Sequence, residues 1–221
     1  MDRKQHLYLW LAGLFVAALV TADLIGGKFF RVGSVDLSVG MLAFPLTFVL
    51  TDVLNEFYGP QGARRVTYVG LGAAVFAFVV INVALALPTS PESPLGDGQF
   101  RGVFGWSGRL YVASLTAYTV GQLLDIVVFT ALRRRTGHRL LWLRATGSTL
   151  LSQLMDTLVV NFVLLAGEKP PGFILTVARD SYVTKIVVAL ALTPLIYAAH
   201  AAVLRLTGPE AAGPAPARTV S

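Results

Sequence analysis

"MLAFPLTFVLTDVLNEFYGPQGARRVTYVGLGAAVFAFVVINVALAL", residues 41–87, holds two long apolar runs on either side of Gly59-Pro60 and Arg64-Arg65. Each run comes close to the roughly 20 residues that cross about 30 Å of hydrocarbon, and the glycine, proline and paired arginines mark a turn between them. Apolar runs of this length recur along all 221 residues. Hydrophobic residues make up 55% of the chain and charged ones 14%, with a mean hydropathy of +0.67. That composition is too apolar for a water-soluble domain and indicates one polytopic membrane domain.

The pattern predicts an all-α protein of six transmembrane helices, at 7–25, 39–58, 66–87, 111–132, 146–166 and 183–204. The run at 7–25 lacks a small-x-small cleavage site and is read as the first helix rather than a signal peptide. With the amino terminus inside, eleven lysines and arginines fall on the inner side and six on the outer, with Lys185 left within a helix. Both termini are therefore expected to be cytoplasmic. Residues 1–206 form the membrane domain, and 207–221, rich in Pro, Ala and Gly, a disordered cytoplasmic tail. The long connection at 88–109, rich in Gly and Pro and carrying Phe104 and Trp106, is expected on the outer surface, touching the headgroups. Gly59 and Pro60 should stop the second helix, Thr146 or Ser148 should cap the fifth, and Thr193-Pro194 should kink the sixth. Ala18 and Ala22, four apart, would let a neighbouring backbone come close.

Without cysteine, disulfides and thiolate chemistry are excluded. His6, His138 and His200 show no ligand spacing, so neither a metal nor a cofactor is expected. The net charge of +6 follows the loops of a membrane chain, which topology explains better than nucleic-acid binding.

Charged groups in hydrocarbon cost about 2.5–3.5 kcal/mol each on insertion scales, so those present should face the bundle interior. Asp52, Asn55 and Glu56 are spaced i, i+3, i+4 and share one face of the second helix. Carboxylates near a helix C-terminus need a positive neighbour, and Arg64 and Arg65 are the nearest in sequence. A charge clamp and a ligand or gate role are both open for Glu56. "VGQLLDIVVF" in the fourth helix and "LSQLMDTLVV" in the fifth repeat a Gln-x-x-Asp pattern, with Gln122 before Asp125 and Gln153 before Asp156. At about 1.5 Å per residue, Asp125 lies about 12 Å above Arg133 and Gln153 about 14 Å above Arg144, so the two pairs share a depth. A carboxylate with a carboxamide, twice over, suits a flat heterocycle with adjacent N–H donors and a carbonyl, such as a guanine-like base. The alternative is that these groups only bond across helices and hold the bundle together. Asp23 and Lys185, both toward the outer side, are expected as a gate or an ion pair with each other.

"FPLTFVLTDVLNEFYG", "VGQLLDIVVF", "LWLRATGSTLLSQLMDT" and "SYVTKIVVALALTPLIY", in this order and spacing, resemble the queuosine precursor transporter family, formerly grouped as vitamin uptake proteins. The resemblance spans about residues 21–204. It implies a multi-pass protein of the bacterial inner membrane that imports 7-cyano-7-deazaguanine or 7-aminomethyl-7-deazaguanine for tRNA modification. It is similar in hydropathy to the membrane subunits of energy-coupling-factor importers, so two readings stay open. One is a self-sufficient carrier, alone or as a homodimer, with Phe48, Tyr118 or Phe162 stacking on the base. The other is a substrate-capture subunit with an ATP-driven energising partner, since the chain has no phosphate-binding loop of its own. An intramembrane enzyme has little support, because paired aspartates would have to share a proton and the adjacent glutamines point to recognition.

Overall fold

Helix α1, Arg3–Ile25, carries no internal glycine or proline break beyond Gly13 and runs unbroken for 23 residues. A computed structural model describes residues 3–32, 35–105, 108–136, 140–191 and 193–207. His138, Trp106 and the tail beyond Thr207 lie outside them. After α1 the chain makes an antiparallel hairpin, β1 (Phe29–Val32) with β2 (Val35–Ser38), Phe29 opposite Ser38. The spacing of apolar runs does not announce this hairpin. Ser38 then caps a single 3-10 turn at Val39–Leu42 by accepting from the Gly40 amide at 3.2 Å.

Helix α2, Phe44–Ala86, spans both apolar runs of the opening stretch. Gly59 breaks the helical geometry with φ 71 and ψ 175, a left-side conformation that a residue with a Cβ adopts only under strain. The second arm restarts at once at Pro60, where a missing amide hydrogen costs nothing, rather than at Val66 as expected. Arg64 and Arg65 therefore ride on a helical turn and are exposed instead of occupying a loop.

Within the connection at 88–109 a short helix forms, α3, Asp97–Phe104, and the Gln99 side chain accepts from the Gly96 amide at 3.0 Å. Helix α4 covers Gly108–Thr136 and α5 covers Leu141–Leu165. Thr146 and Ser148 are thus inside α5 and cap nothing; the helix starts a turn and a half earlier because Leu141 and Ala145 pack into a core with Val49, Phe129 and Ile196. The expected last helix at 183–204 is two: α6, Pro171–Ala191, and α7, Thr193–Thr207, with axes bent by 41°. Pro171 opens α6 twelve residues before the expected start, and Pro194 stands in the first turn of α7, both sites where proline is tolerated.

Apart from the hairpin the fold is all-α, and its polarity is inverted relative to a soluble bundle. Trp10 is 74% and Phe76 70% exposed, whereas Asp52, Glu56, Asp125, Arg133 and Arg144 are buried. An apolar exterior around a charged interior is what a bilayer solvent selects. Among the described residues three helical segments are long and apolar enough to cross a membrane, Arg3–Ile25, Val39–Ala86 and Tyr111–Thr136, and α6 with α7 pass as a bent pair.

The first arm of α2 is the centre of the bundle. Leu50 and Leu54 pack on Phe15 and Leu19 of α1 and on Tyr118 and Ile126 of α4, while Val53 and Phe57 pack on Val203 of α7. At Gly70, on the second arm, a Cβ would stand 2.7 Å from Phe15 Cε1 and 2.9 Å from the Tyr118 hydroxyl, so α1, α2 and α4 meet there in contact only a glycine permits.

Candidate functional site

The face Asp52–Asn55–Glu56 is wholly buried, and each residue has a different partner. Asn55 is spent on α4: its Nδ2 donates to the Ile126 carbonyl at 3.1 Å, and its Oδ1 accepts from Thr130 at 3.2 Å. Glu56 meets two guanidiniums, Arg144 at 3.1 Å and Arg133 at 3.5 Å, all three buried. Arg133 also donates to the Asn55 carbonyl, and Arg144 lies 5.5 Å from the centre of the Phe129 ring. The counter-charge for Glu56 therefore comes from the ends of α4 and α5 and not from Arg64 or Arg65. Removing two cations and a carboxylate from water is offset by this mutual pairing and by these further contacts.

Asp52 stands alone among the three. It is 2% exposed, and neither carboxylate oxygen has a hydrogen-bond partner among the described residues. Across the α2–α4 contact it faces Asp125, which is fully buried and has Ser148, Thr149 and Ser152 of α5 around it. Ser152 donates to Asp125 Oδ1 at 3.3 Å, leaving Oδ2 unmet.

The two Gln-x-x-Asp motifs, alike in sequence, differ in surroundings. Gln122 is locked to α2: its Oε1 accepts from Thr51 at 2.9 Å and its Nε2 donates to Thr47 at 3.3 Å. Gln153 keeps a buried Oε1 with no partner among the described residues and lines a cleft. Asp156 pairs with Lys185 of α6 at 2.5 Å, which replaces the expected Asp23–Lys185 pair. Asp23 is instead half-buried beside Tyr111 and Tyr118 of α4.

That cleft, about 540 Å³ of atom-free space including its open mouth, runs between α2, α5, α6 and α7. Phe44, Phe48, Val188 and Ile196 make its walls apolar, and Thr146, Thr149, Gln153 and Lys185 supply polar atoms. Of the three aromatic residues considered for stacking, Phe48 is on this wall. Tyr118 is buried and donates to the Thr67 carbonyl at 3.0 Å, and Phe162 is exposed. Thr149 borders both the cleft and Asp125, so the unmet carboxylates lie directly behind the cleft's polar side.

Sequence reasoning passed over Arg133, Arg144 and the hydroxyls. Both arginines look like ordinary inner-loop cations. The hydroxyl signal was present in Thr47-x-x-x-Thr51 and Ser148-x-x-x-Ser152, each i, i+4 and each aligned with an acidic or amide residue on the same helix face.

Helices with a lipid-compatible exterior, and unmet acceptors behind a cleft that opens between them, fit an integral membrane transporter. The chain belongs to the family described as "Putative vitamin uptake transporter", which matches residues 38–199. It is 34% identical over 198 residues to a protein of Bacillus subtilis (strain 168) named "Probable queuosine precursor transporter", covering 89% of this chain and 84% of that one. It is 28% identical over 159 residues to the "Queuosine precursor transporter" of Escherichia coli (strain K12), covering 68% of this chain and 66% of that one. A third relative, the "Probable queuosine precursor transporter" of Haemophilus influenzae, is 30% identical over 126 residues, 54% of this chain and 48% of that one. The queuosine precursor transporter family is thus the one the sequence motifs resembled, and its members are named as transporters, not enzymes. No solved structure matches the chain.

Proposed function

We propose that this protein imports the 7-deazaguanine precursors of queuosine, 7-cyano-7-deazaguanine or 7-aminomethyl-7-deazaguanine, across the bacterial inner membrane. The observation that carries the reading is the set of buried acceptors without donors: both oxygens of Asp52, Oδ2 of Asp125 and Oε1 of Gln153. A buried acceptor left unmet costs about 1–3 kcal/mol, and more for a charged group. A guanine-type edge, with a ring N–H beside an exocyclic amine, supplies parallel donors to a carboxylate, and Phe48 offers a face for the ring. The names of the relatives agree with this cargo.

Six spans with both termini inside suit the same reading. Val39–Ala86 counts 48 residues, roughly 72 Å of helix at about 1.5 Å per residue, more than twice the hydrocarbon thickness. It must serve as two spans, and Gly59 is the place to divide it. With α6 and α7 as one bent span, α1, the two arms of α2, α4, α5 and α6–α7 make six.

The test is uptake of labelled precursor by cells unable to make it. Cells carrying the wild-type chain should accumulate the label, and Asp125→Asn, which keeps the shape but replaces a carboxylate oxygen by an amide, should lower uptake at least tenfold. Undiminished uptake by a normally inserted Asp125→Asn protein removes Asp125 from the site.

A further inference from the structure

Four acids and three bases meet along α2, α4, α5 and α6 among the described residues, while Asp23 of α1 lies apart beside Tyr111 and Tyr118. Glu56 is matched by Arg133 and Arg144, and Asp156 by Lys185. Asp52 and Asp125 have no cation in contact and face each other. Arg144 of α5 is near Asp52 but engaged by Glu56, and α5 also presents Ser148, Thr149 and Ser152 to the pair. On α1, Tyr8 packs against Tyr58, and on α7, His200 packs against Phe57, each more than a turn beyond Asp52. With every group ionised this cluster holds one negative charge in excess. Two facing carboxylates in low dielectric do not both remain ionised, and a single positive charge placed between them balances the cluster.

We propose that the Asp52–Asp125 pair is a site for one positive charge that travels with each cargo: a proton when the base is neutral, and the base's own ammonium when it is cationic. The inference rests on the import of deazaguanine bases proposed above and adds its energy source. In the outward-open state the proton comes from the outer solution onto a carboxylate oxygen of the pair; in the inward-open state it leaves to the cytoplasm together with the base. No bond other than O–H is made or broken. A 7-aminomethyl base turned to present its ammonium to the pair, in place of the N–H edge that the cyano base presents, leaves no place for the proton. Both cargoes therefore carry one charge inward, and only the neutral one carries a proton.

The test uses purified wild-type protein in liposomes loaded with a pH-sensitive dye, with labelled 7-cyano-7-deazaguanine and 7-aminomethyl-7-deazaguanine supplied separately. Import of the cyano base should acidify the lumen by about one proton per base, and import of the aminomethyl base should leave it unchanged. A membrane potential of about 100 mV, negative inside, should concentrate either base about 50-fold. Import of the cyano base with a silent lumen overturns the coupling and leaves the importer reading intact; import of neither base overturns both. A second readout needs no transport. Infrared spectra of the purified protein should show the C=O band of a protonated carboxylic acid that disappears in Asp52→Asn and in Asp125→Asn, since either change balances the charges, and persists in the exposed control Asp180→Asn. A band unaltered by both interior substitutions overturns the proposal.

Discussion

Replacing Glu56 by Gln removes a carboxylate in contact with two buried guanidiniums while keeping the side chain's length. Arg144 sits 3.1 Å and Arg133 3.5 Å from the same oxygen, and Glu56 and Arg144 are 2% and 1% exposed. In such surroundings the loss is set by the cations left behind, and breaking one partner of a buried pair costs about 3–5 kcal/mol, against 0.2–1 kcal/mol for exposed pairs. Denaturant unfolding of the purified protein in mixed micelles should therefore show Glu56→Gln destabilised by about 3–5 kcal/mol. A second substitution, Arg144→Met, removes one stranded cation and keeps an apolar stem against Phe129. The double variant should then lose less than the sum of the singles, by roughly 1–3 kcal/mol. A single-variant loss below about 1 kcal/mol, or strict additivity, would refute the view that this triad closes the inner ends of α2, α4 and α5.

Two further substitutions probe packing and the cleft. Gly70→Ala pushes a methyl into Phe15 and the Tyr118 hydroxyl and should cost about 1–3 kcal/mol in the same unfolding assay, whereas Gly72→Ala, with open space around it, should cost nothing comparable. Phe48→Ala should weaken base binding by about 1–3 kcal/mol, the usual worth of one stacking face, while Phe162→Ala should leave it unchanged; a radioligand filter assay distinguishes them.

The membrane class and the polar face of α2 could be read from sequence because both depend on local spacing: apolar runs of the right length, and acidic residues at i, i+3, i+4. The partners on that face could not. Arg133 and Arg144 are chemically identical to the loop arginines that set topology, and only the packing of α4 against α5 turns them inward. For the same reason two near-identical motifs part ways. Gln122 faces Thr47 and Thr51 because α4 lies against α2, whereas Gln153 looks into the cleft that α2, α6 and α7 leave beside α5. The early start of α6 was hidden by the sequence Pro170-Pro171-Gly172 and by Arg179 and Asp180, which interrupt the apolar run although both side chains are exposed. Residue type at Gly59-Pro60 indicates a stop, and a helix restarting directly at Pro60 looks, by residue type alone, the same as a loop.

The claim that matters most is that buried carboxylates read the donor edge of the base, and changing the ligand tests it without disturbing the fold. Equilibrium binding to the purified wild-type protein should be compared for 7-cyano-7-deazaguanine and for the same base lacking its exocyclic amine. Loss of one hydrogen bond to a charged acceptor is worth about 1.5–3 kcal/mol, so the second base should bind roughly 10- to 150-fold more weakly. Equal affinity for the two bases would contradict carboxylate recognition at Asp52 and Asp125.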